Sequence, residues 1–319
     1  MKAVVIRKFG PPDVMNIEEI HKPVISSDEL LVRVHYSSVN PVDWRMRNGS
    51  LRFLIGSGFP MILGFDIAGE VVEMGRSVTK FKKGDKVFAM LDYMKRGAYA
   101  EYARIREASA VLIPENMDLK EAAAMPLAAL TAYQALYHKG KIKAGYSVLI
   151  NGSSGGVGSF AVQIAKAAGA TVTAVCGTAN IEIVRTLGAD KVIDYTKQDV
   201  NALLDMYNII FDTVGTLSFL GISGNLTKYG SYITTIPKKP ATIFSLIIVP
   251  VLFLFGYRKK SIFINVKPSG PDLNSLSLLV KEKKLTSLID RVFTLEEIRE
   301  AHAYSETGRA RGKIVIKIF

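Results

Sequence analysis

Residues 148–158 (VLINGSSGGVG) form the segment whose residue types are best suited to holding a ligand. An apolar run typical of a buried strand leads into the glycines, and a helical pattern follows directly. A pyrophosphate binds free backbone N–H groups at a helix N-terminus, and glycine leaves its approach unobstructed. Gly155 would permit that approach, and Gly158 would let the helix lie close to the sheet. Ser153 replaces the first glycine of G-x-G-x-x-G, but strand, loop, helix and second strand follow in the order of a dinucleotide site.

The segment after the next strand indicates which dinucleotide would bind. NAD sites place an Asp or Glu about 20 residues on, where it accepts a hydrogen bond from the ribose 2′-hydroxyl. Here residues 176–180 (CGTAN) carry no acid, and the next one is Glu182. A carboxylate would repel a 2′-phosphate, so these small residues, with Arg185 and Lys191 downstream, favour NADP(H). Cys176 is interpreted as a small strand-end residue, because no histidine lies near it in sequence to make it a nucleophile.

Length and composition exclude several other classes. The 319 residues suffice for about two domains, and 49% hydrophobic against 22% charged residues is typical of a globular chain. A single cysteine excludes a structural disulfide and a four-cysteine zinc lobe, and the four histidines form no H-x-x-x-H pair. The net charge of +12 is interpreted as a basic surface that helps to collect a phosphorylated ligand. Residues 1–7 have a strand pattern, not that of a signal peptide, so a cytoplasmic location is expected.

Residues 243–255 (IFSLIIVPVLFLF) form an almost unbroken apolar run, followed by Arg258, Lys259 and Lys260. The run is shorter than the roughly 20 residues that a spanning helix needs, and Pro250 interrupts it. Two interpretations stay open. The run could form a core helix or pocket wall, or it could form a subunit interface or a peripheral membrane contact, since a basic flank favours anionic lipid.

The elements that must position the glycine loop change type near residue 119. Before it, short β-rich runs between Gly and Pro residues predict a small barrel, at residues 2–6, 30–36, 69–72, 86–89 and 99–105. After it, helix and strand patterns alternate, which predicts a parallel sheet covered on both faces. Helices are expected at residues 121–137 (with a kink at Pro126), 156–168, 181–187, 273–284 and 295–305. Strands are expected at 147–150, 171–175, 191–193, 209–212, 231–235 and 313–318.

This succession resembles the medium-chain dehydrogenase/reductase superfamily over essentially the whole chain. The resemblance rests on NPVDWRMRNG (40–49), LGFDIAGEV (63–71), GDKVFA (84–89), GAYAEYA (97–103), PLAALTAYQAL (126–136), NGSSGGVGSFAVQIAKAAGA (151–170) and LGADKVIDY (187–195). It implies an α/β protein with two domains. One is a GroES-like β-barrel domain of residues 1–118 and 266–319, and the other is a Rossmann domain with a doubly wound parallel sheet, residues 119–265. It also implies a homodimer.

The resemblance also bears on metal binding. Zinc alcohol dehydrogenases of this superfamily carry Cys where this chain has Asn40, and Gly-His-Glu where it has Gly64, Phe65 and Asp66. No metal is therefore expected, and without a Lewis acid the oxidation of an unactivated alcohol loses several kcal/mol of alkoxide stabilisation. The sequence is instead similar to the zinc-independent quinone oxidoreductase branch, whose alkenal and enone reductases take NADPH.

That branch implies hydride transfer from nicotinamide C4 to a quinone, or to the β-carbon of an α,β-unsaturated carbonyl compound. The protein would position the small-molecule substrate, exclude water and donate hydrogen bonds to the developing enolate oxygen. Two alternatives remain. One is a membrane-surface reductase of a lipid quinone or lipid aldehyde, with residues 243–255 as its apolar mouth. The other is a nucleotide-gated RNA-binding protein, although no stripe of alternating basic and aromatic residues favours it.

The resemblance further assigns roles residue by residue. The catalytic candidates, in the segment that faces nicotinamide and substrate, are Asn40, Asp43 and Arg45. The candidates for binding the cofactor are Thr131 at the nicotinamide ribose or amide; Gly155, Gly156 and Val157 at the pyrophosphate; Gly177, Thr178 and Asn180 at the adenosine ribose and its 2′-phosphate; Tyr195 at the adenosine end; Val214, Gly215 and Ile236 beside adenine and nicotinamide; and Phe263, Ile264 and Asn265 near the nicotinamide amide.

Structural roles compete with several of these assignments. Asn40, before a proline, could form only a turn, and Asp43 could only cap a helix. Arg45 could be a solvated surface charge, and Tyr195 could be a packing residue at a strand end. Lys313, in the approach to the last strand, is a further candidate for contact with the cofactor.

Overall fold

The computed structural model describes residues 1–52, 58–93, 97–202 and 204–319. The strands are β1 (Lys2–Ile6), β2 (Met15–Glu19), β3 (Glu29–Val39), β4 (Met61–Ile62), β5 (Asp66–Met74), β6 (Lys86–Met90), β7 (Tyr102–Arg106), β8 (Ala110–Leu112), β9 (Ser147–Asn151), β10 (Thr171–Cys176), β11 (Lys191–Asp194), β12 (Tyr207–Asp212), β13 (Leu226–Thr234), β14 (Lys260–Phe263), β15 (Ile289–Thr294) and β16 (Lys313–Lys317). The helices are α1 (Pro41–Arg47), α2 (Leu119–Ala124), α3 (Pro126–Tyr133), α4 (Gly156–Ala167), α5 (Ile181–Thr186), α6 (Phe219–Ile222), α7 (Pro240–Leu254), α8 (Gly270–Lys281) and α9 (Ile298–Glu306).

The chain divides into two compact units, Met1–Leu130 with Lys267–Phe319, and Thr131–Val266. In the first unit, a three-stranded sheet has the order β2-β1-β4. A seven-stranded sheet has the order β15-β16-β3-β5-β6-β8, with β7 also paired to β3. Alternate residues of β3, Leu30 and Val32, pack into one core with Ile67 of β5 because successive strand side chains point to opposite faces. This unit confirms the predicted GroES-like β domain.

The second unit holds a six-stranded sheet of order β11-β10-β9-β12-β13-β14, whose neighbouring strands are all parallel. Numbered from β9, this is the 3-2-1-4-5-6 order of a doubly wound Rossmann sheet. Its core contains Leu149, Val175, Ile210 and Tyr232, with Val249 from α7. The predicted α/β class is therefore confirmed. The strand order reverses between β9 and β12, and ligands of such sheets bind outside the carboxyl ends of the strands at that point.

Several elements differ from those expected from the sequence. The helix expected at 121–137 is two helices, because Pro126 starts α3, where its missing N–H costs no helical hydrogen bond. A π-helical turn, Gln134–Lys139, continues α3. Helix α1 and strand β15 were not expected from the sequence. The domain boundary at residue 118 stays a prediction, and the division into compact units falls after Leu130, within α3.

The apolar run at 243–255 forms most of α7, and the structure contradicts its interpretation as a core helix. The inward residues of α7 are Thr242, Ser245 and Val249. Val249 is buried and Ile248 packs against the core, but most of the large apolar side chains are exposed, namely Ile243, Phe244, Ile247, Val251, Leu252, Phe253 and Leu254, together with Phe255 after the helix. Of the helices in the described ranges, none has the length and apolar character needed to cross a membrane.

Candidate dinucleotide site and buried polar network

The glycine loop joins β9 to α4, as the sequence predicted. Gly152 has a φ of +80°, a left-handed conformation that favours glycine, and it turns the chain at the end of β9. A Cβ at Gly158 would lie 2.1 Å from the Gly152 carbonyl oxygen, so the missing side chain lets α4 approach the loop. A Cβ at Gly155 would meet only the Gly152 oxygen, at 3.5 Å. Gly155 is the N-cap of α4, and no described side chain caps it, which leaves first-turn N–H groups for a ligand.

The other cofactor candidates of the second unit, apart from Thr131, follow the carboxyl ends of strands in the same parallel sheet. They are Gly177, Thr178 and Asn180 after β10, Tyr195 after β11, Val214 and Gly215 after β12, Ile236 after β13, and Phe263, Ile264 and Asn265 at the end of β14. The carboxyl ends of parallel strands meet at one edge, so the structure brings these residues to the edge that carries the glycine loop. Thr131 is buried in α3.

The adenosine end of this edge fits the chemistry of a dinucleotide. Asn180 Nδ2 donates to Ser154 Oγ at 3.1 Å in the glycine loop. Its Oδ1 is buried, and no partner for it lies in the described part of the chain. Tyr195 is 61% exposed, and its hydroxyl would lie 3.3 Å from a Cβ at Gly177. An acceptor that awaits a donor and an open aromatic face suit a ribose hydroxyl and an adenine ring.

The two cations that favoured NADP(H) in the sequence are engaged in ion pairs. Arg185 Nη1 lies 2.8 Å from Glu182 Oε1, and Lys191 Nζ lies 2.5 Å from Asp205 Oδ2. All four side chains are exposed, so each pair is weak and salt-sensitive. In this structure both cations thus contact a carboxylate instead of standing free to bind a 2′-phosphate.

Two buried carboxylates that the sequence analysis missed shape the loops at this edge. Asp194, the last residue of β11, accepts a hydrogen bond from Thr178 Oγ1 at 2.5 Å, which lowers the pKa of Asp194. Asp212, the last residue of β12, accepts from Asn151 Nδ2 at 2.8 Å and from the Gly215 N–H at 2.9 Å. Each carboxylate directly follows a buried apolar run, and that position in the sequence was the available signal.

The catalytic candidates Asn40 and Asp43 lie in the interior of the first unit. The Asn40 main-chain N–H donates to Asp43 Oδ2 at 2.8 Å, and the Gly64 N–H donates to Oδ1 at 3.1 Å. Asp43 therefore caps α1, and burial raises the pKa of Asp43 to about 7. Arg45 is only partly buried, and its guanidinium carbon lies 5.1 Å from the centroid of the Trp44 ring. Burial lowers the pKa of Arg45.

A buried ion pair lies beside Asn40. Lys313 Nζ contacts Asn40 Oδ1 at 2.5 Å and Asp66 Oδ2 at 3.4 Å, and both charged side chains are almost fully buried. Asp66 also accepts hydrogen bonds from Ser38 Oγ at 2.6 Å, Asn40 Nδ2 at 2.8 Å and the Leu127 N–H at 2.7 Å. Burial lowers the pKa of Lys313, and the nearby carboxylates oppose that shift. This cluster ties β3, β5, α3 and β16 together.

A second buried group, His302 of α9, extends this polar interior. Its Nδ1 lies 3.1 Å from Arg47 Nη1, and its Nε2 lies 3.3 Å from the Tyr99 hydroxyl. A guanidinium only donates, so Nδ1 must accept and the proton must reside on Nε2. Burial, with the Arg47 charge as a second cause, lowers the pKa of His302 to about 3. His302 is therefore a neutral structural residue that orients Arg47, which also pairs with Glu306.

The described ranges contain no group of three or more His, Cys, Asp and Glu side chains that could hold a metal ion. At the positions where the resemblance places zinc ligands, Asn40 and Asp66 contact the Lys313 ammonium instead. The expectation of a protein without metal stays a prediction.

Comparison with known proteins identifies the family. Two family models match the chain, "Alcohol dehydrogenase GroES-like domain" over residues 26–115 and "Zinc-binding dehydrogenase" over residues 187–316. A chloroplastic quinone-oxidoreductase homolog of Spinacia oleracea is 37% identical, over 97% of this chain and 95% of its own length. The chain belongs to the medium-chain dehydrogenase/reductase superfamily. The names of several similar proteins also state an activity.

Two further relatives narrow the class within this superfamily. The NADPH-dependent alkenal/one oxidoreductase of Arabidopsis thaliana chloroplasts is 34% identical, over 99% of this chain and 79% of its own length. The solved structure of the quinone oxidoreductase from Coxiella burnetii matches with a TM-score of 0.89 and 32% identity, over 100% of this chain and 99% of that one. This medium-chain dehydrogenase/reductase is therefore an oxidoreductase that uses a nicotinamide cofactor.

Proposed function

We propose that this protein is a zinc-independent, NADPH-dependent reductase of quinones or of the C=C bond of α,β-unsaturated carbonyl compounds. The observation that carries the proposal is the glycine loop, open at Gly155 and uncapped, at the carboxyl edge of the Rossmann sheet. The names of the quinone oxidoreductase and alkenal/one oxidoreductase relatives support the substrate class.

The second unit would hold the cofactor through its main chain and one aromatic ring. The N–H groups of Gly156 and Val157 would donate to the pyrophosphate, because no side chain caps this end of α4. Gly155 would leave room for the pyrophosphate, while its own N–H donates to the Gly152 carbonyl oxygen at 3.1 Å. The exposed ring of Tyr195 would cover the adenine, and Asn180 Oδ1 would accept from a ribose hydroxyl. The remaining candidates, Thr131, Gly177, Thr178, Val214, Gly215, Ile236, Phe263, Ile264 and Asn265, would line the rest of the cofactor. The nicotinamide, when bound, supplies the hydride.

The first unit would orient the substrate. We propose that Arg45 donates hydrogen bonds to the substrate carbonyl oxygen, whose negative charge grows as the hydride arrives. The side-chain acceptors of Asn40 and Asp43 already hold Lys313 and the start of α1, so these two residues would position the segment and not touch the substrate. A zinc ion beside Asn40 would meet the buried Lys313 ammonium, which supports zinc independence.

The preference for NADPH rests on the end of β10. No carboxylate lies between Cys176 and Glu182, and Glu182 is paired with Arg185. The side chain of Asn180 argues the other way, because its Oδ1 has no donor and a 2′-hydroxyl could donate to it, whereas a 2′-phosphate could not. The preference for NADPH over NADH is therefore tested separately from the reaction. Equal turnover of NADH and NADPH would contradict the preference and leave the reductase proposal standing.

A substrate panel tests the reaction class. The purified protein is incubated with NADPH and an aryl quinone, a short 2-alkenal, an alkyl vinyl ketone or a simple aldehyde, with and without EDTA. We expect oxidation of NADPH with the quinone or the activated alkenes, unchanged by EDTA. Turnover of the simple aldehyde alone, abolished by EDTA, would contradict the proposal.

The homodimer and the location stay proposals. In the described sheet β14 is an outer strand paired only with β13, so its free main-chain groups could pair with a second copy. A cytoplasmic location is proposed for this chain, although relatives named above are chloroplastic.

The membrane-surface reductase is the second candidate function, and the exposed apolar side chains of α7 favour it. The RNA-binding alternative stays a hypothesis.

A further inference from the structure

Helix α7 exposes large apolar side chains, whereas an ordinary surface helix buries them. Its small polar residues face inward, where Ser245 Oγ lies 2.8 Å from Ser261 Oγ and Thr242 Oγ1 donates to the Leu217 carbonyl oxygen at 3.4 Å. Most of its large apolar residues face outward, although Val249 is buried in the core and Ile248 packs against that core. A soluble helix normally buries its apolar stripe and exposes its polar one.

Six of the eight exposed large apolar residues at 243–255 are spaced along the helix, and we name them the apolar face: Ile243, Phe244, Ile247, Val251, Leu254 and Phe255. Their spacing of three and four residues places them on one side of the helix. Exposure is greatest at the C-terminal end of the face, at 81% for Leu254 and 83% for Phe255. Residues 246–255 contain no side chain that can form a hydrogen bond. Exposed apolar patches of this kind mark contacts with membranes or other proteins.

The charged side chains of the segment that carries this face are all positive. Exposed basic residues lie at both ends of α7, and we name them the basic ends: Lys238, Lys239, Arg258 and Lys260. The 59 residues from Thr213 to Pro271 contain seven Lys and Arg residues and no Asp or Glu. Outside this segment, hydrogen bonds from Asn201 lower the pKa of Asp199, and the charge of Lys239 adds to that effect. The surface therefore combines an apolar stripe with positive charge at each end.

We propose that the apolar face and the basic ends dock this protein on the surface of an anionic lipid bilayer. The apolar face would enter the boundary between headgroups and acyl chains, and the basic ends would contact lipid phosphates, as in interfacial helices. A bilayer needs no matching hydrogen bonds, which suits a face that offers none. A second copy is disfavoured because a two-fold contact would bring both sets of basic ends together.

Sedimentation with vesicles tests the proposal on the full chain. We expect binding to phosphatidylcholine vesicles that contain phosphatidylserine, with an apparent affinity at least about tenfold lower for phosphatidylcholine alone and a marked loss in high salt. Equal binding to both vesicle types, or no binding to either, would overturn the proposal. The assay requires no turnover, so its failure would leave the proposed reductase activity untouched.

Two variants and a matched control locate the surface. The triple change Ile247→Ser, Leu254→Ser and Phe255→Ser should reduce vesicle binding by about tenfold or more, because apolar burial drives insertion. Replacing the four basic ends by Gln should have a similar effect at low salt. The control changes three exposed apolar residues of the first unit, Val24→Ser, Leu112→Ser and Val292→Ser, and should bind like the parent. Unchanged thermal midpoints establish that all variants fold.

Light scattering, which measures the oligomeric state, tests whether a second copy of this chain covers the apolar face instead of a membrane. If the triple change in the apolar face converts a dimer into a monomer and the parent does not bind vesicles, the face belongs to a second copy and the proposal is wrong. If the parent binds anionic vesicles equally well before and after the triple change, another surface holds the membrane and the proposal is also wrong.

Discussion

At the scale of single residues, the cluster around Lys313 has the strictest requirements in the first unit. A buried ammonium and a buried carboxylate each lose their hydration, and only good geometry and further hydrogen bonds offset that loss. Asp66 meets the condition through Ser38, Asn40 and Leu127. Removal of one charge should therefore lower the free energy of unfolding by more than the intact ion pair contributes to it, because the other charge stays buried without its partner.

We predict that Lys313→Met lowers the free energy of unfolding by about 3–5 kcal/mol. The change removes the cation that faces Asp66 and leaves the carboxylate buried. Urea-induced unfolding measures the loss. Lys317→Met, at an exposed position of the same strand, is the matched control and should change stability by less than about 0.5 kcal/mol.

The double variant Lys313→Met with Asp66→Asn decides whether the loss is electrostatic. It should cost less than the sum of the two single changes, by at least about 1 kcal/mol, because neither charge is then left alone. Strict additivity of the two single effects would contradict the proposed coupling.

At the scale of elements, the sequence predicted the glycine loop and its flanking strand and helix because all the determinants lie within one short segment. The alternation of β9, α4 and β10 leaves a strong periodic signal. The interpretation of α7 as a core helix was wrong because an almost unbroken apolar run does not indicate which side of the helix faces the core. Its orientation is set by contacts of Thr242 and Ser245 with residues that precede and follow the helix.

We predict that Gly155→Ala weakens NADPH binding at least about tenfold, with little change in thermal stability. A Cβ at Gly155 has room in the protein, since it meets only the Gly152 oxygen at 3.5 Å, but it would stand where the pyrophosphate approaches. Calorimetric titration with NADPH measures the affinity.

Gly158→Ala serves as the contrasting variant. Its Cβ would lie 2.1 Å from the Gly152 carbonyl oxygen, so α4 must shift and the thermal midpoint should fall as well. If Gly155→Ala binds NADPH like the parent protein, the pyrophosphate does not approach at this loop.

At the scale of the whole molecule, the two-part architecture could be predicted because each unit has its own pattern, β-rich first and alternating afterwards. The interior network could not, because its members are far apart in sequence. Lys313 and Asn40 are 273 residues apart. Only the antiparallel pairing of β16 with β3 brings them together. The cofactor candidates other than Thr131 were easier to place, since they lie at or after the carboxyl ends of parallel strands.

The central claim is the transfer of a hydride from nicotinamide C4 to the electron-poor carbon of the substrate, and isotope labelling tests it most directly. The protein is incubated with NADPH that carries deuterium at both C4 positions and with an alkyl vinyl ketone, and the product is analysed by NMR and mass spectrometry. In the predicted reaction the β-carbon receives deuteride and the α-carbon receives a proton from water, which leaves a saturated ketone and NADP⁺. We expect deuterium at the β-carbon. Deuterium at the carbonyl carbon of an allylic alcohol, or none in the product, would contradict the account.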